Sequence, residues 1–551
     1  MTDRASTATV AAPNASASTA GGIAWAGSLV GVNNPNNLGY RYSTPSKRYR
    51  TTLDDGDDAS RDVPTNIQVQ FRNRQGEDLA QTLDLPTQST IDDLTALVHS
   101  LLENSDSHDE QQRQKQGAGK IPYSFYATIL KNGVQDDVEI THTLSDLLQQ
   151  HAISTEDVLQ LTYQPLAVFR VRPVTRCTDT LPGHTEAVLH VQYAPDGQML
   201  ASGGGDTTVR FWDVHTSTPK YTCKQHKNHV LCVAWAPNGK RFVSADKNGV
   251  WIVWDPTKGE AVGKAVKAHR QWITSLAWEP MHLNAACDRL ATSSKDGTIK
   301  IWNVRTQAQN LTLSGHTDSV ESIKWSGDGF LYSASRDRTI KVWNVDRGIL
   351  VRTLTGHGHR INTLALSSDY VLRTGPFDHR GTKFASEEAA QQAAQEKYEA
   401  FRAQGPERLV SGSDDFTLFL WHPQESKHAI KRLTGHQQAV NHIAFSPDGR
   451  YFASASFDKK VKIWNGFSGD FLTTLTGHVG AVYQVAWSSD SRYLVSASKD
   501  STAKLWEMPS GKRARETLPG HADEVYALDW SPNGASVATG SKDRTIKIWK
   551  H

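Results

Sequence analysis

Histidine, a hydroxyl residue and aspartate recur together along this chain, and an imidazole, a hydroxyl and a carboxylate are the parts of a nucleophilic triad. The first set is His184, Ser202 and Asp206, and six residues beyond the acid stands Trp212. The same four types return as His436, Ser454, Asp458 and Trp464, as His478, Ser496, Asp500 and Trp506, and as His521, Thr539, Asp543 and Trp549. A catalytic triad needs one exposed hydroxyl beside a pocket. A buried polar chain instead needs an acceptor for each indole N–H, and therefore a tryptophan with every copy. The repetition selects the second chemistry: indole to hydroxyl, hydroxyl to imidazole, imidazole to carboxylate, pinning a loop to its strands.

The elements that position these groups follow from their spacing. Eight histidines each precede a tryptophan that closes an I/V/L-rich strand: His184 and Trp212, His226 and Trp254, His269 and Trp302, His316 and Trp343, His357 and Trp421, His436 and Trp464, His478 and Trp506, His521 and Trp549. Successive histidines stand mostly about 42 residues apart, the period of a four-stranded WD40 blade. The second unit departs from the pattern, because Ser244 is in place but Asn248 stands where the acid is expected. The last unit stops at "TIKIWKH", one strand short of the others. The segment "VTRCTDTLPGH" before the first unit resembles the stretches that enter other Gly-His pairs. It is expected to supply the missing strand and close the ring, removing the large sheet edge. The expected fold is therefore mainly β, an eight-bladed propeller over residues 165–551.

Charge is unevenly placed. Up to Gln164 there are 12 basic and 21 acidic residues, leaving 48 and 37 in the remainder, so an acidic N-terminal part precedes a basic propeller. A basic propeller is compatible with a partner rich in nucleic acid. The four cysteines, Cys177, Cys223, Cys232 and Cys287, have no zinc-ligand spacing and fit a reduced compartment. No apolar run reaches membrane-spanning length and no cationic leader precedes an apolar core, so neither membrane insertion nor secretion is expected. No nucleotide-binding loop or metal cluster is visible, and an enzyme is not expected.

Residues 1–64 are rich in Ala, Ser, Thr, Gly and Asn, then carry "SKRYR" and "DDGDDASRD"; such composition reads as a disordered tail, with the basic run a candidate import element. Residues 65–164 change character. "NIQVQF" alternates as a strand, "TLDLP" is its partner, and "STIDDLTALVHSLLEN" is an amphipathic helix capped by Ser89 or Thr90. "YSFYATIL", "DDVEI", the short helix "TLSDLLQQHA" and the strand "VLQLTYQ" follow, an order similar to the ubiquitin-like β-grasp, an α+β fold. Between His357 and Trp421 an insertion at about 373–407 includes "SEEAAQQAAQEKYEAFRAQG", a strong helix former with acids early and bases late. Such an insertion reads either as a binding element or as a solvated helix.

The β-grasp unit, the linker "AVFRVRPVTR" at 167–176, "WITSLAWEP" at 272–280, the insertion around "FDH" at 377–379 and "VYQVAW" at 482–487 together resemble the Notchless family of ribosome-assembly proteins. The resemblance covers nearly everything after residue 64. It implies a non-enzymatic scaffold on the precursor of the large ribosomal subunit, with its rRNA, ribosomal proteins and other assembly factors, in the nucleolus and nucleus. It further implies that midasin, a giant AAA ATPase, grips the N-terminal domain through a metal-ion-dependent adhesion site. ATP-driven movement would then remodel the particle. The chain would carry no cofactor of its own, and a Mg²⁺ held by the ATPase would be completed by one carboxylate of the assembly factor. The matching position is Glu156 in "STEDVLQLTY", with Asp157 beside it; a hard cation of octahedral demand suits an acid on a loop. A competing reading is a substrate receptor for a cullin-type ubiquitin ligase, since "IWNVR" at 301–305 loosely resembles an adaptor-docking box.

Overall fold

The computed structural model describes residues 66–73, 78–79, 81–105, 122–131, 134–140, 143–151, 153, 158–166, 169–508 and 513–551. The expected tail at 1–64 lies outside these residues.

The N-terminal unit runs β1 (Asn66–Arg72), β2 (Leu83–Pro86), α1 (Ile91–Ser105), β3 (Tyr123–Lys131), β4 (Val134–Glu139), α2 (Leu144–His151) and β5 (Leu159–Pro165). Its sheet has the order β2-β1-β5-β3-β4, with β1 and β5 parallel and Val69 opposite Leu159. This is the strand order of a β-grasp. Alternation in β1 buries Ile67, Val69 and Phe71, which meet Phe125, Leu159 and Leu161 of neighbouring strands and Leu94 and Val98 of α1. Thr90 caps α1: its amide and hydroxyl both donate to the Asp93 carboxylate, at 2.9 and 2.7 Å.

Residues from Arg176 onward form eight sheets whose first strands line a central axis. Each first strand touches that of the next sheet, and Val525–Trp530 of the last touches Val188–Tyr193 of the first, so the ring is closed. In the second sheet the outer strand is split into two short pieces. The outer strand of the last sheet is Arg176–Leu181, antiparallel to Ile546–Lys550, with Leu181 opposite Ile546. Second strands such as Tyr451–Ser456, "YFASAS", are buried throughout, because both their faces meet neighbouring blades. Small residues are required there. A Cβ on Gly540 would stand 2.7 Å from Val188 at the ring seam, and one on Gly412 would stand 2.8 Å from Val440.

All eight first strands carry a β-bulge near their start. Three bulged residues reach the next blade: Thr274 donates to the Val320 carbonyl at 2.5 Å, Asn362 to that of Val440 at 3.2 Å, and Asn441 to that of Val482 at 2.9 Å. Inner edges need partners as well, since their amides face the channel. Asp529 accepts from the Tyr193 amide, Gln192 from that of Trp235, and Gln484 from that of Leu528, at 2.8, 3.1 and 2.9 Å.

The insertion leaves the fifth blade after Leu366 and returns at Leu409, wider than the expected 373–407. Its early start has a local cause: the Asp369 carboxylate accepts from the Leu366 amide at 3.0 Å and opens a short helix, α3 (Asp369–Thr374). The long helix α4 (Glu387–Arg402) is capped by Ser386, whose hydroxyl accepts from the Ala389 amide at 3.1 Å.

Candidate functional site

All eight polar chains are assembled. In the first copy and the last three alike the geometry is nearly constant, as His184, His436, His478 and His521 show. Each Nε2 lies 2.8 Å from the hydroxyl of Ser202, Ser454, Ser496 or Thr539, and each hydroxyl accepts the indole N–H of Trp212, Trp464, Trp506 or Trp549 at 2.9 Å. The Nδ1 atoms donate to Asp206, Asp458, Asp500 and Asp543 at 3.0, 2.8, 2.8 and 2.7 Å. The tautomer follows from the network, because the carboxylate can only accept. All four hydroxyls are fully buried, so none can meet a substrate. Burial alone would raise the Asp206 carboxyl, but bonds from His184, Thr185 and Thr208 outweigh it and hold the group well below the usual carboxylate range.

The second blade resolves its departure in an unexpected way. His226 Nδ1 donates to Asp246 at 3.1 Å, while Asn248 accepts from the Asn228 side chain at 2.9 Å. The carboxylate has moved two residues earlier on the chain, and Asn248 links the same two loops by an amide pair. Sequence reading missed Asp246 because it sought the acid at fixed spacing from Trp254.

The inserted helix is not simply solvated, because one of its faces is buried on the blades. Ala390 and Ala394 pack into the core of the second and third blades, and Tyr398 and Phe401 into that of the fourth and fifth. Tyr398 stacks on His282 with centroids 4.4 Å apart. Lys397 ties α4 to α3, donating to the Thr374 hydroxyl and the Phe377 carbonyl at 2.7 and 2.8 Å, and burial pulls its ammonium down to about 8. Phe169 of the linker stacks on His379 at 3.9 Å, which joins two of the segments that carried the family resemblance.

α3 contributes to the wall of the axial channel, where a cavity of about 350 Å³ is lined by His190, Gln192, His442, Gln484, Tyr370 and Arg373 among others. Arg373 pairs with Asp529 at 2.8 Å and Lys324 with Asp369 at 2.8 Å, so each cation here has its own carboxylate. Burial lowers His190 to about 4 and His442 to about 3, leaving both imidazoles neutral near pH 7. Sequence reading did not single out this channel; its signal was the alternation of His190 and Gln192 in "LHVQY". Among the described residues, no group of three His, Cys, Asp or Glu could hold a metal ion.

Glu156 and Asp157 lie outside the described residues, on the segment between α2 and β5. The described neighbour Val158 is 44% exposed. The "IWNVR" segment ends the strand Ile299–Asn303, with Trp302 committed to its own polar chain through Thr292 at 3.0 Å.

The profile described as "NLE (NUC135) domain" matches residues 67–148, the β-grasp unit up to α2. "WD domain, G-beta repeat" matches seven segments between 175 and 550 and passes over the blade that the insertion splits. The "Notchless protein homolog" of Arabidopsis thaliana is 51% identical over 399 residues, covering 72% of this chain and 80% of that protein. The chain belongs to the Notchless family. "Ribosome assembly protein 4" of Saccharomyces cerevisiae is 44% identical over 426 residues, 75% of this Notchless-family chain and 80% of the yeast protein. Among solved structures, the computationally designed Ika8 protein matches with a TM-score of 0.54 at 25% identity, covering 68% of this chain and all of that one.

Proposed function

We propose that this chain is a non-enzymatic assembly factor of the large ribosomal subunit, acting in the nucleolus and nucleus. The observation that carries the reading is its identity, 44% over 75% of its length, with a relative named ribosome assembly protein 4, together with the NLE domain ahead of the WD repeats. In this reading the propeller docks on the precursor particle with its rRNA and proteins. The N-terminal domain is the handle gripped by the AAA ATPase midasin, and Glu156 completes a Mg²⁺ held by that partner. A hard cation of octahedral demand is matched by oxygen ligands, and a carboxylate on the segment before β5 would supply one of them. Pulling on this handle would transmit force through the linker, whose Val171 amide donates to Asp490 of the propeller at 2.8 Å.

Gradient sedimentation of a cell extract holding the tagged chain tests the reading. Co-migration with large-subunit precursors and recovery of their rRNA are expected. Recovery of a cullin adaptor without precursors would overturn it in favour of the ligase-receptor alternative.

A further inference from the structure

The polar chains fix one face of the ring, because each histidine precedes a first strand and each aspartate sits in the turn between second and third strands or, for Asp246, at the end of the second strand. On three other blades of this face cations are paired locally, Arg336 with Glu321 at 2.5 Å, Lys542 with Asp523 at 3.3 Å, and Arg360 with Asp414, and the cations without a pair among the described residues, such as Lys459, Lys460 and Arg544, are fewer in each blade. The second and third blades differ. Their loops at 224–230, 246–250, 264–273 and 294–300 hold eight Lys or Arg and only two carboxylates, Asp246 and Asp296. Both carboxylates are committed to His226 and His269 at 3.1 Å. Among the described residues none of the eight cations forms an ion pair with an acid.

At the centre of this patch stands Trp272. The ammonium groups of Lys247 and Lys295 lie 4.5 and 4.6 Å from its ring centroid, and its carbonyl accepts from the Lys295 amide at 3.0 Å. The indole holds two like charges near one another and limits their rotamers, so less freedom is lost when they bind an anion. Lys267 is anchored on the Asn248 carbonyl and Lys300 on that of Ala268, and Arg270 is exposed beside them. None of the exposed large hydrophobic side chains falls in these four loops. A protein partner is ordinarily held by several apolar anchors, but the one large aromatic side chain of these loops, Trp272, is engaged by two ammonium groups, whereas a nucleic-acid backbone needs separated cations.

We infer that the loop face of the second and third blades binds the phosphate backbone of RNA, with Lys247, Lys267, Arg270 and Lys295 as phosphate contacts and Trp272 as the support that positions two of them. The inference deepens the proposed docking of the propeller on an RNA-rich particle and rests on that reading for its biological setting. Phosphate recognition of this kind is insensitive to sequence and strongly dependent on salt.

The test uses the purified full chain and a fluorescein-labelled oligoribonucleotide, with anisotropy read over a series of KCl concentrations. The combined variant Lys247→Ala, Lys267→Ala, Arg270→Ala and Lys295→Ala is expected to bind at least about tenfold more weakly, with a salt slope smaller by about 3, at roughly 0.7 per lost contact to a single strand. A control on the same face, Lys459→Ala, Lys460→Ala and Arg544→Ala, is expected to keep wild-type affinity, and Trp272→Ala to weaken binding with less change in slope. Absence of RNA binding by the wild-type chain at low salt would overturn the inference, as would an equal loss in the control. Displacement of RNA by polyglutamate at equal charge concentration would overturn it in favour of an acidic protein. RNA binding without sedimentation among precursors would instead refute the proposed function and leave this surface standing.

Discussion

Each buried polar chain joins one indole, one hydroxyl, one imidazole and one carboxylate, and losing any member strands its neighbour without water. The second blade offers a sharp test of which residue carries the charge. Asp246→Asn is expected to destabilise the protein by about 1 to 3 kcal/mol, whereas Asn248→Ala is expected to cost less than about 1 kcal/mol. Urea midpoints of the two variants check this, and the opposite order would restore Asn248 to the chain. Acid should act in two stages. His190 and His442 are lowered to about 4 and about 3, so the unfolded chain takes up protons that the folded one refuses, and stability falls as pH drops from about 6.5. Asp206, Asp337, Asp415 and Asp500 are held low, so their contribution is present above about pH 4 and is lost as pH falls further. Urea midpoints at about pH 7.5, 4 and 2.5 should therefore fall twice, and His442→Gln should shrink chiefly the first fall. At this scale the sequence was legible wherever the spacing was kept, as with Ser202 ten residues before Trp212. It was not legible at Asp246, where an acid shifted by two residues reaches the same imidazole from a different point of the turn.

Among the elements, the inserted helix departs furthest from its sequence appearance. Its composition, "SEEAAQQAAQEKYEAFR", announces a helix but not what the helix covers, since Ala390 packs on the second and third blades and Tyr398 stacks on His282 of the third, far back in the chain. Packing of small alanines lets the helix lie close, and Tyr398 and Phe401 fix its far end. Amide exchange over 387–402 is expected to be slow in the wild-type chain and much faster in Phe401→Ala, a truncation of the kind that costs about 3 to 5 kcal/mol in a packed site. Equal protection in both would mean that the helix holds itself without the blades. Helix α3 was hidden for another reason: six residues are too few to show a period, and its start depends on the Asp369 carboxylate capping the end of a strand.

At the largest scale the propeller is a ring held shut by chain from before its first repeat, and that closure was readable because "TIKIWKH" has no following strand to pair with while "VTRCTDTLPGH" has no blade of its own. Truncation through Leu181 is expected to expose the edge at Ile546–Lys550 and abolish cooperative thermal unfolding, whereas truncation of residues 1–60 should leave the midpoint unchanged. Retention of one sharp transition after the longer truncation would show that the seam is dispensable. The family resemblance, by contrast, was carried by segments rather than by periodicity, and the structure gives part of the reason, since Phe169 of one such segment stacks on His379 of another. The central proposal is that one chain joins two partners, an RNA-rich particle at the propeller and an ATPase at the N-terminal domain. Recovery of both from cells bearing tagged wild-type or Glu156→Ala chain tests it most directly. Large-subunit precursors retained at wild-type level by the variant, with midasin lost as it is lost from the wild type on chelation of Mg²⁺, is the predicted result. Midasin bound equally by wild type and variant, or bound without regard to Mg²⁺, would contradict the metal bridge at Glu156.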